Sequence, residues 1–548
     1  MHSNFVVPAW LPRWQLSYEK IIFILALYFA VILNFPVNYR VYELAGAGNL
    51  AFGLSSSLVL FACFLIIFSF FALPYLLKPA MALMLVSSAG ATYAIWQYNI
   101  LFSYAMVENI LATNSGEALS YFNGYSIGSV ILLGGLPAAA LFRVQVLLPA
   151  SWARLLLARI ALILVAALIL AIVAILFYKD YASVGRNNRY LTKMIVPAHI
   201  YYGAEYINRN FFTKPLAYKT LGEDAQLPVQ KSGADQKPTL VVLAVGETAR
   251  ATNMQYNGYS RNTNPYTQDD DLIALQQVSS CGTATAHSLP CMMSYLTHDN
   301  FERKRADAQD NVLDILSRAG VEVTWLENDG GDKHVAKGVT SFGFSYQQGW
   351  SDCHRLNCFD EVFIAKLEQL LANSQPTNKL FAMHLIGSHG PTYYQRYPAE
   401  HALFQPACER SDIENCTDEE IVNVYDNTLA YTDYVLAQVI DLLERYGDSY
   451  NVALMYLSDH GESLGENGLY LHGTPYAIAP EEQTQVPWLI WLPQQYAQAK
   501  GINRDCLVQQ AQSGDFSHDN LFHSLLGFYG VETQIRQDEL DFTAPCRA

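Results

Sequence analysis

The sequence predicts an α-helical membrane domain of five transmembrane helices, followed by an α/β domain on the far side of the membrane. Three observations carry that prediction. Hydrophobic residues make up 51% of the 548-residue chain and charged residues only 15%, against roughly 25% charged in soluble domains. The charge is also uneven: residues 1–180 hold eight Lys/Arg and five Asp/Glu, whereas the rest hold 26 and 45, a net of −19. Finally, the second part alternates short apolar runs with helical patterns, the signature of a parallel α/β sheet. A part this acidic will not bind nucleic acid by counterion release, nor dock on anionic lipid through bulk charge.

Five apolar stretches are long enough to cross a bilayer, which takes roughly 20 residues. They lie near Ile21–Phe35 with its flanks, Phe52–Leu77, Ala80–Phe102, Tyr125–Phe142 and Leu155–Phe177. In the short loops, Arg13, Lys20, Lys78, Arg143, Arg154 and Arg159 fall on one side and Arg40 alone on the other. The basic side is expected in the cytoplasm, and an odd number of spans delivers everything after about residue 178 to the opposite face. Cysteine usage tests this independently. Cys63 sits in the second span, while Cys281, Cys291, Cys353, Cys358, Cys408, Cys416, Cys506 and Cys546 all lie in the acidic part. An even set in close pairs reads as disulfides made in an oxidising compartment. Zinc–thiolate knuckles would need matched Cys-x2–4-Cys pairs, which this spacing does not supply.

Between the third and fourth spans, Asn109, Thr113 and Glu117 recur at i, i+4 and i+8, which makes one polar stripe if the segment is helical. By itself this reads as an interfacial helix. Residues 179–238 are mixed and turn-rich, and read as a surface bridge and linker between a membrane domain at 1–178 and a catalytic domain at 239–548. Four apolar runs then end in polar residues: Leu240–Val245 at Gly246-Glu247, Val321–Leu326 at Glu327-Asn-Asp, Leu380–Ile386 at Gly387-Ser-His389, and Asn451–Leu457 at Ser458-Asp459-His460. Continuous apolar runs are strands covered on both faces. Helical patterns over Asn311 to Gly320 and Glu419 to Tyr446 separate them, and ligands gather beyond the carboxyl ends of such strands.

Glu247, His389, Asp459, His460 and the nearby His472 are therefore expected together. Carboxylate plus imidazole without free thiolate suits zinc better than magnesium. The segment Ser279–Cys291 is a hydroxyl-rich loop closed by a Cys281–Cys291 bridge. A threonine in it becomes a nucleophile only if a metal lowers the pKa of its hydroxyl, and spacing does not separate Thr283 from Thr285.

The motifs Val245-Gly-Glu247-Thr-Ala-Arg250, Cys281-Gly-Thr-Ala-Thr285-Ala-His-Ser-Leu-Pro-Cys291, Gly387-Ser-His389-Gly-Pro391 and Ser458-Asp459-His460-Gly-Glu462-Ser-Leu-Gly-Glu466 occur in this order. With them the chain resembles the lipid A phosphoethanolamine transferases, which include the mobile colistin-resistance enzymes. The resemblance implies five membrane helices and a periplasmic α/β domain of alkaline phosphatase/sulfatase-like fold, in a multi-pass protein of the bacterial inner membrane. It implies zinc-dependent transfer of phosphoethanolamine from phosphatidylethanolamine to a phosphate of lipid A, with diacylglycerol released, by a monomer working among inner-membrane lipids. Polymyxin resistance would follow.

The resemblance makes Thr285 the nucleophile and Glu247, Thr285, Asp459 and His460 the ligands of one tightly bound zinc. His389 and His472 would hold the phosphoryl group or a second zinc. Asn109, Thr113, Glu117 and Lys333 would contact substrate, with Lys337-Gly338-Val339 offering a second basic candidate. Cys353/Cys358 and Cys408/Cys416 fit the family's disulfide habit, and Cys506/Cys546 is the remaining pair. A sulfatase would need a Cys/Ser-x-Pro-x-Arg element, which Cys281-Gly-Thr is not. A phosphoethanolamine or phosphoglycerol transferase acting on another envelope glycan, or a non-catalytic sensor of the same fold, is the alternative reading.

Overall fold

The structure is a computed structural model. It describes residues 14–547 apart from 47–48, 72–75, 114–117, 120, 148–150, 229–236 and 354–357. Arg13, Glu117 and residues 229–236 of the expected linker therefore lie outside the described residues. The chain divides into two compact units, one of residues 1–107 with 122–211 and one of 108–121 with 212–548.

In the first unit, among the described residues, four helices are long and apolar enough to cross a membrane: Leu50–Phe70, Leu77–Tyr98, Gly124–Arg143 and Trp152–Gly185. A fifth crossing is made if the pair Tyr18–Leu33 and Phe35–Ala45, bent by 59°, counts as one. The sequence explains that bend. Pro36 opens the second helix of the pair and has no N–H to continue the ladder of the first. Asn34 fills the gap: fully buried, it donates to the carbonyls of Phe29 and Val196 and accepts from the Val196 N–H. The last helix continues to Asn187, beyond the expected Phe177, and its backbone leaves helical geometry at Phe177. The bridge that follows is partly helical, at Leu191–Met194 and Ala198–Phe211.

The second unit is built on seven strands: β1 Thr239–Gly246, β2 Ile273–Leu275, β3 Glu322–Glu327, β4 Thr340–Gly343, β5 Lys379–His384, β6 Asn451–Ser458 and β7 Trp488–Trp491. Their order in the sheet is β2-β7-β6-β1-β5-β3-β4. The neighbours β6, β1, β5, β3 and β4 are parallel. Strand β7 departs from the expected parallel pattern and runs antiparallel to β6 and β2. Between Ser458 and Trp488 the longest helix is Glu481–Thr484, so no helical crossover returns the chain to the opposite edge.

Strand β1 is buried at every position, as its unbroken apolar run requires. Val241, Leu243 and Val245 share a core with Leu313 and Leu316 of helix α2, Val312–Arg318, and with Leu521 and Leu525 of a later helix, Asp519–Tyr529. Helix α2 begins at a capping box, Asn311 with Asp314. The long helix Asp418–Arg445 begins at another, Thr417 with Glu420, and carries Asp418, Glu419 and Glu420 in its first turn, where the helix dipole favours them.

Candidate active site

Because β6, β1, β5 and β3 are parallel neighbours, their carboxyl ends open on one edge of the sheet. Register places Gly246 opposite Ser458, and His384 opposite both Val245 and Glu327. The residues just beyond, Glu247, Asp459 and His460, are fully buried. Thr248 takes the turn after Glu247 at φ +54°, an uncommon conformation for a β-branched residue. It is held on both sides, by Asp459 Oδ1 accepting its N–H at 3.3 Å and by the Tyr425 hydroxyl donating to its carbonyl at 2.6 Å. Gly387, at φ +44°, passes so close that a Cβ there would lie 2.9 Å from the Glu247 carbonyl oxygen. Only glycine fits.

Helix α1, Thr285–Met292, starts at Thr285. Its hydroxyl donates to Glu247 Oε2 at 3.0 Å and lies 3.3 Å from His460 Nε2. As the first residue of the helix it also sits at the positive end of the dipole, which favours negative charge on the oxygen. Thr283 faces elsewhere and donates to the carbonyl of Thr474 at 2.6 Å. The loop is pinned from behind by His518, whose Nδ1 accepts the Cys281 N–H at 3.1 Å and whose Nε2 donates to the Ser458 carbonyl at 2.9 Å. Burial keeps that ring neutral, with its pKa pulled down to about 4.

The donor set asks for a cation. Glu247 Oε1 and Asp459 Oδ2 are buried and accept no hydrogen bond among the described residues. Burial, with Asp459 and Asp329 nearby, pushes the Glu247 carboxyl well above its ordinary range. His460 Nδ1 meets the Gly461 carbonyl at 2.8 Å, which leaves Nε2 as the lone-pair nitrogen, 3.6 Å from Glu247 Oε1 and 3.5 Å from Asp459 Oδ2. Burial pulls this imidazole down to about 4. Two carboxylates and a neutral imidazole within 4.8 Å of one another, with a hydroxyl beside them, fit a divalent metal of borderline character.

A small, partly open cavity of about 10 Å³ adjoins this group. Thr285, Asp329, His389 and His472 line its floor, and Asn109, Ala112, Thr113 and Lys333 its walls. The rings of His389 and His472 are 5.9 Å apart, and those of His460 and His472 4.6 Å. Burial, then Arg396 and the neighbouring imidazoles, hold His389 well below its usual pKa. Lys333, at φ +45°, reaches toward the Ala112 carbonyl at 3.4 Å. Lys337 instead donates to the carbonyls of Asp307 and Gln309 and stacks over Tyr218. The helix carrying Asn109 ends at Ala112, so Thr113, a residue of low helix propensity, lies just beyond it. Asn109 and Thr113 nonetheless reach the cavity together.

All eight cysteines of the acidic part are joined as expected: Cys281–Cys291, Cys353–Cys358, Cys408–Cys416 and Cys506–Cys546. Several supporting residues escaped sequence reasoning. Arg250 ties the first motif to the fourth, pairing with Glu466 Oε1 at 2.6 Å and donating to the Glu462 carbonyl at 3.2 Å. Both residues stand in the motifs, and that was the available signal. His518, Arg303 and His384 stand outside any motif pattern, so only the fold reveals them.

A family model described as Sulfatase matches residues 239–531, and one described as Phosphoethanolamine transferase EptA/EptB matches residues 60–211. Phosphoethanolamine transferase EptA of Escherichia coli (strain K12) is 38% identical over 543 residues, 98% of each chain. Phosphatidylethanolamine transferase Mcr-1 of Escherichia coli is 33% identical, over 95% of this chain and 97% of that one. The solved structure of the integral membrane lipooligosaccharide phosphoethanolamine transferase A from Neisseria meningitidis superposes with a TM-score of 0.93 at 37% identity, covering 97% of this chain and 99% of that one. Membrane helices and sulfatase-like domain are thus matched together along nearly the whole length, and the chain belongs to the phosphoethanolamine transferase family.

Proposed function

We propose that this enzyme moves phosphoethanolamine from phosphatidylethanolamine to a phosphate of lipid A, through a phosphoethanolamine ester on Thr285. The observation that carries the reading is the position of Thr285 Oγ1, between Glu247 Oε2 and His460 Nε2 at the floor of the cavity. Glu247, Thr285, Asp459 and His460 would hold one zinc, which when bound would lower the pKa of a coordinated hydroxyl and neutralise phosphoryl charge.

In the first half-reaction Thr285 Oγ1 bonds to phosphorus and the bond from phosphorus to the diacylglycerol oxygen breaks. Glu247 Oε2, as acceptor of the Oγ1 hydrogen bond, orients the attacking lone pair. The proton lost by Oγ1 is matched by one gained on diacylglycerol. In the second half a lipid A phosphate oxygen attacks the same phosphorus and Oγ1 leaves, regaining its proton. His389 and His472 hold the phosphoryl oxygens, while Lys333, Asn109 and Thr113, with Glu117, hold the headgroup. Thr285 is only 5% exposed, so a buried ester resists water until the second lipid arrives.

The reading divides the chain into a membrane domain at 1–178, a bridge at 179–238 and a catalytic domain at 239–548. The catalytic domain stands in the periplasm and the membrane domain, a monomer among its lipids, in the inner membrane. The Lys/Arg bias of the loops and four disulfides support that orientation. The deciding experiment incubates the purified protein with phosphatidylethanolamine, without acceptor, and maps the peptide Cys281–Cys291 by mass spectrometry. A phosphoethanolamine adduct on Thr285 is expected. An adduct on another residue, or hydrolysis with no adduct, overturns the reading.

A further inference from the structure

Three side chains at the ends of β3 and β5 take no part in the transfer just described, yet they lie beside it, two of them buried and one largely so. They are Glu327, Asp329 and His384. Glu327 is fixed first: its Oε2 accepts from the Trp325 indole N–H at 2.9 Å and its Oε1 from the Asp329 backbone N–H at 2.6 Å. His384 Nδ1 then lies 3.0 Å from Glu327 Oε2 and 3.2 Å from Oε1. A carboxylate accepts only, so Nδ1 carries the proton and Nε2 is the opposite, inward end of the ring.

That end is fully buried and has no hydrogen-bond partner among the described residues. Its neighbours are carboxylates, with Asp329 Oδ2 at 3.8 Å. Ligand atoms of His384, Asp329 and Glu247 all lie within 4.8 Å of one another, a span that one cation at ~2.0–2.5 Å from each can bridge. A carboxylate holding Nδ1–H of a histidine so that Nε2 faces inward is the arrangement that orients histidines on metals.

We propose that Glu247, Asp329 and His384 form a second divalent-cation site, with the Glu247 carboxylate shared between it and the Asp459–His460 site. The donors, two carboxylates and an imidazole, select a borderline cation such as zinc. The second cation positions rather than reacts: by holding one side of Glu247 it fixes the oxygen that faces Thr285. The inference rests on the proposed function only through that shared carboxylate, and it is silent about the acceptor.

The test uses the full-length protein in detergent, stripped with a chelator, reloaded with zinc and counted by plasma mass spectrometry. Asp329→Asn and His384→Gln should each lose one zinc per chain relative to the unmodified protein and keep the other. His389→Gln should leave the count unchanged. Crystals of the unmodified protein should show anomalous zinc scattering beside His384 Nε2, which decides the matter even if the variants fold poorly. Saturation of the unmodified protein at one zinc, an undiminished count in a folded His384→Gln chain, or no anomalous peak beside His384 overturns the inference. The Thr285 adduct is read separately, so a one-zinc protein that still forms it rejects the second site and leaves the transfer reaction standing.

Discussion

Thr283 and Thr285 share one bridged loop, yet their hydroxyls face different partners, and that difference sets their mutants apart. Thr285→Ala removes the oxygen proposed to attack, so single-turnover adduct formation should fall to background. Thr285→Ser keeps the oxygen but loses the methyl group that restrains χ1, and should retain partial activity. Thr283→Ala loses only the bond to the Thr474 carbonyl, and a positioning loss of at most about 10²-fold is expected in the same assay. Sequence spacing left the two threonines equivalent because the deciding contacts come from Glu247, His460 and Thr474, far away along the chain. The lysines repeat the lesson. Lys333 and Lys337 look alike in sequence, and only the fold turns one into the cavity and the other onto the carbonyls of Asp307 and Gln309. The carboxylates and imidazoles were legible because each ends a strand run next to glycine; His384, inside its run, reads as one more strand residue.

At the scale of elements, helix α1 carries a built-in defect. Pro290 has no N–H for the carbonyl of Ala286, one turn earlier, beside Thr285. Arg303 repairs it, donating from one guanidinium nitrogen to Ala286 and from another to the Lys333 carbonyl at 2.9 Å. Arg303→Ala should cost about 1–3 kcal/mol in denaturant titration, the penalty of a buried unpaired carbonyl, and slow adduct formation as well. Arg303→Lys, with no fork to span both carbonyls, should recover only part of either. The Cys281–Cys291 bridge closes this region, and replacing both cysteines by serine should lower stability by roughly 2–4 kcal/mol, read by the same titration.

Helix Asp519–Tyr529 makes a pH prediction. His523 is buried, its Nδ1 accepting the Gln537 N–H at 3.1 Å, and burial followed by Arg536 pulls it down to about 4. Its folded pKa lies below the unfolded value near 6.5, so the unfolded chain binds more protons on acidification. Stability should be full above about pH 6.5 and decline toward pH 4 by up to ~3 kcal/mol. His523→Asn, which keeps an acceptor but does not titrate, should flatten that part of the profile. Strands β1, β3, β5 and β6 and both capped helices were legible within a residue or two, because periodicity is a local signal; β2, β4 and β7, three or four residues each, are too short to show it. The 59° break at Asn34 was not, since an apolar run reads the same straight or bent.

For the whole molecule, the expected consequence of the reaction is electrostatic: a phosphate of lipid A loses exposed negative charge and gains an ammonium. Cells producing the protein should bind cationic polymyxins less and survive higher concentrations of them. Mass spectrometry of lipid A should show the added group, and Thr285→Ala should abolish both effects. Unchanged lipid A beside a modified glycan would redirect the acceptor. The two-part architecture was legible because hydropathy and charge segregate along the chain; the antiparallel strand β7 was not, because Trp488–Trp491 is as apolar as its parallel neighbours. Strand β1 has one further consequence, in the order of synthesis. It lies between β5 and β6, so Thr239 must wait for Asn451 before both its flanks are covered. While the intervening chain is still being made, Glu247 lacks Asp459 and His460, the two partners that follow β6. The buried group is therefore assembled late, only after the ribosome has passed His460.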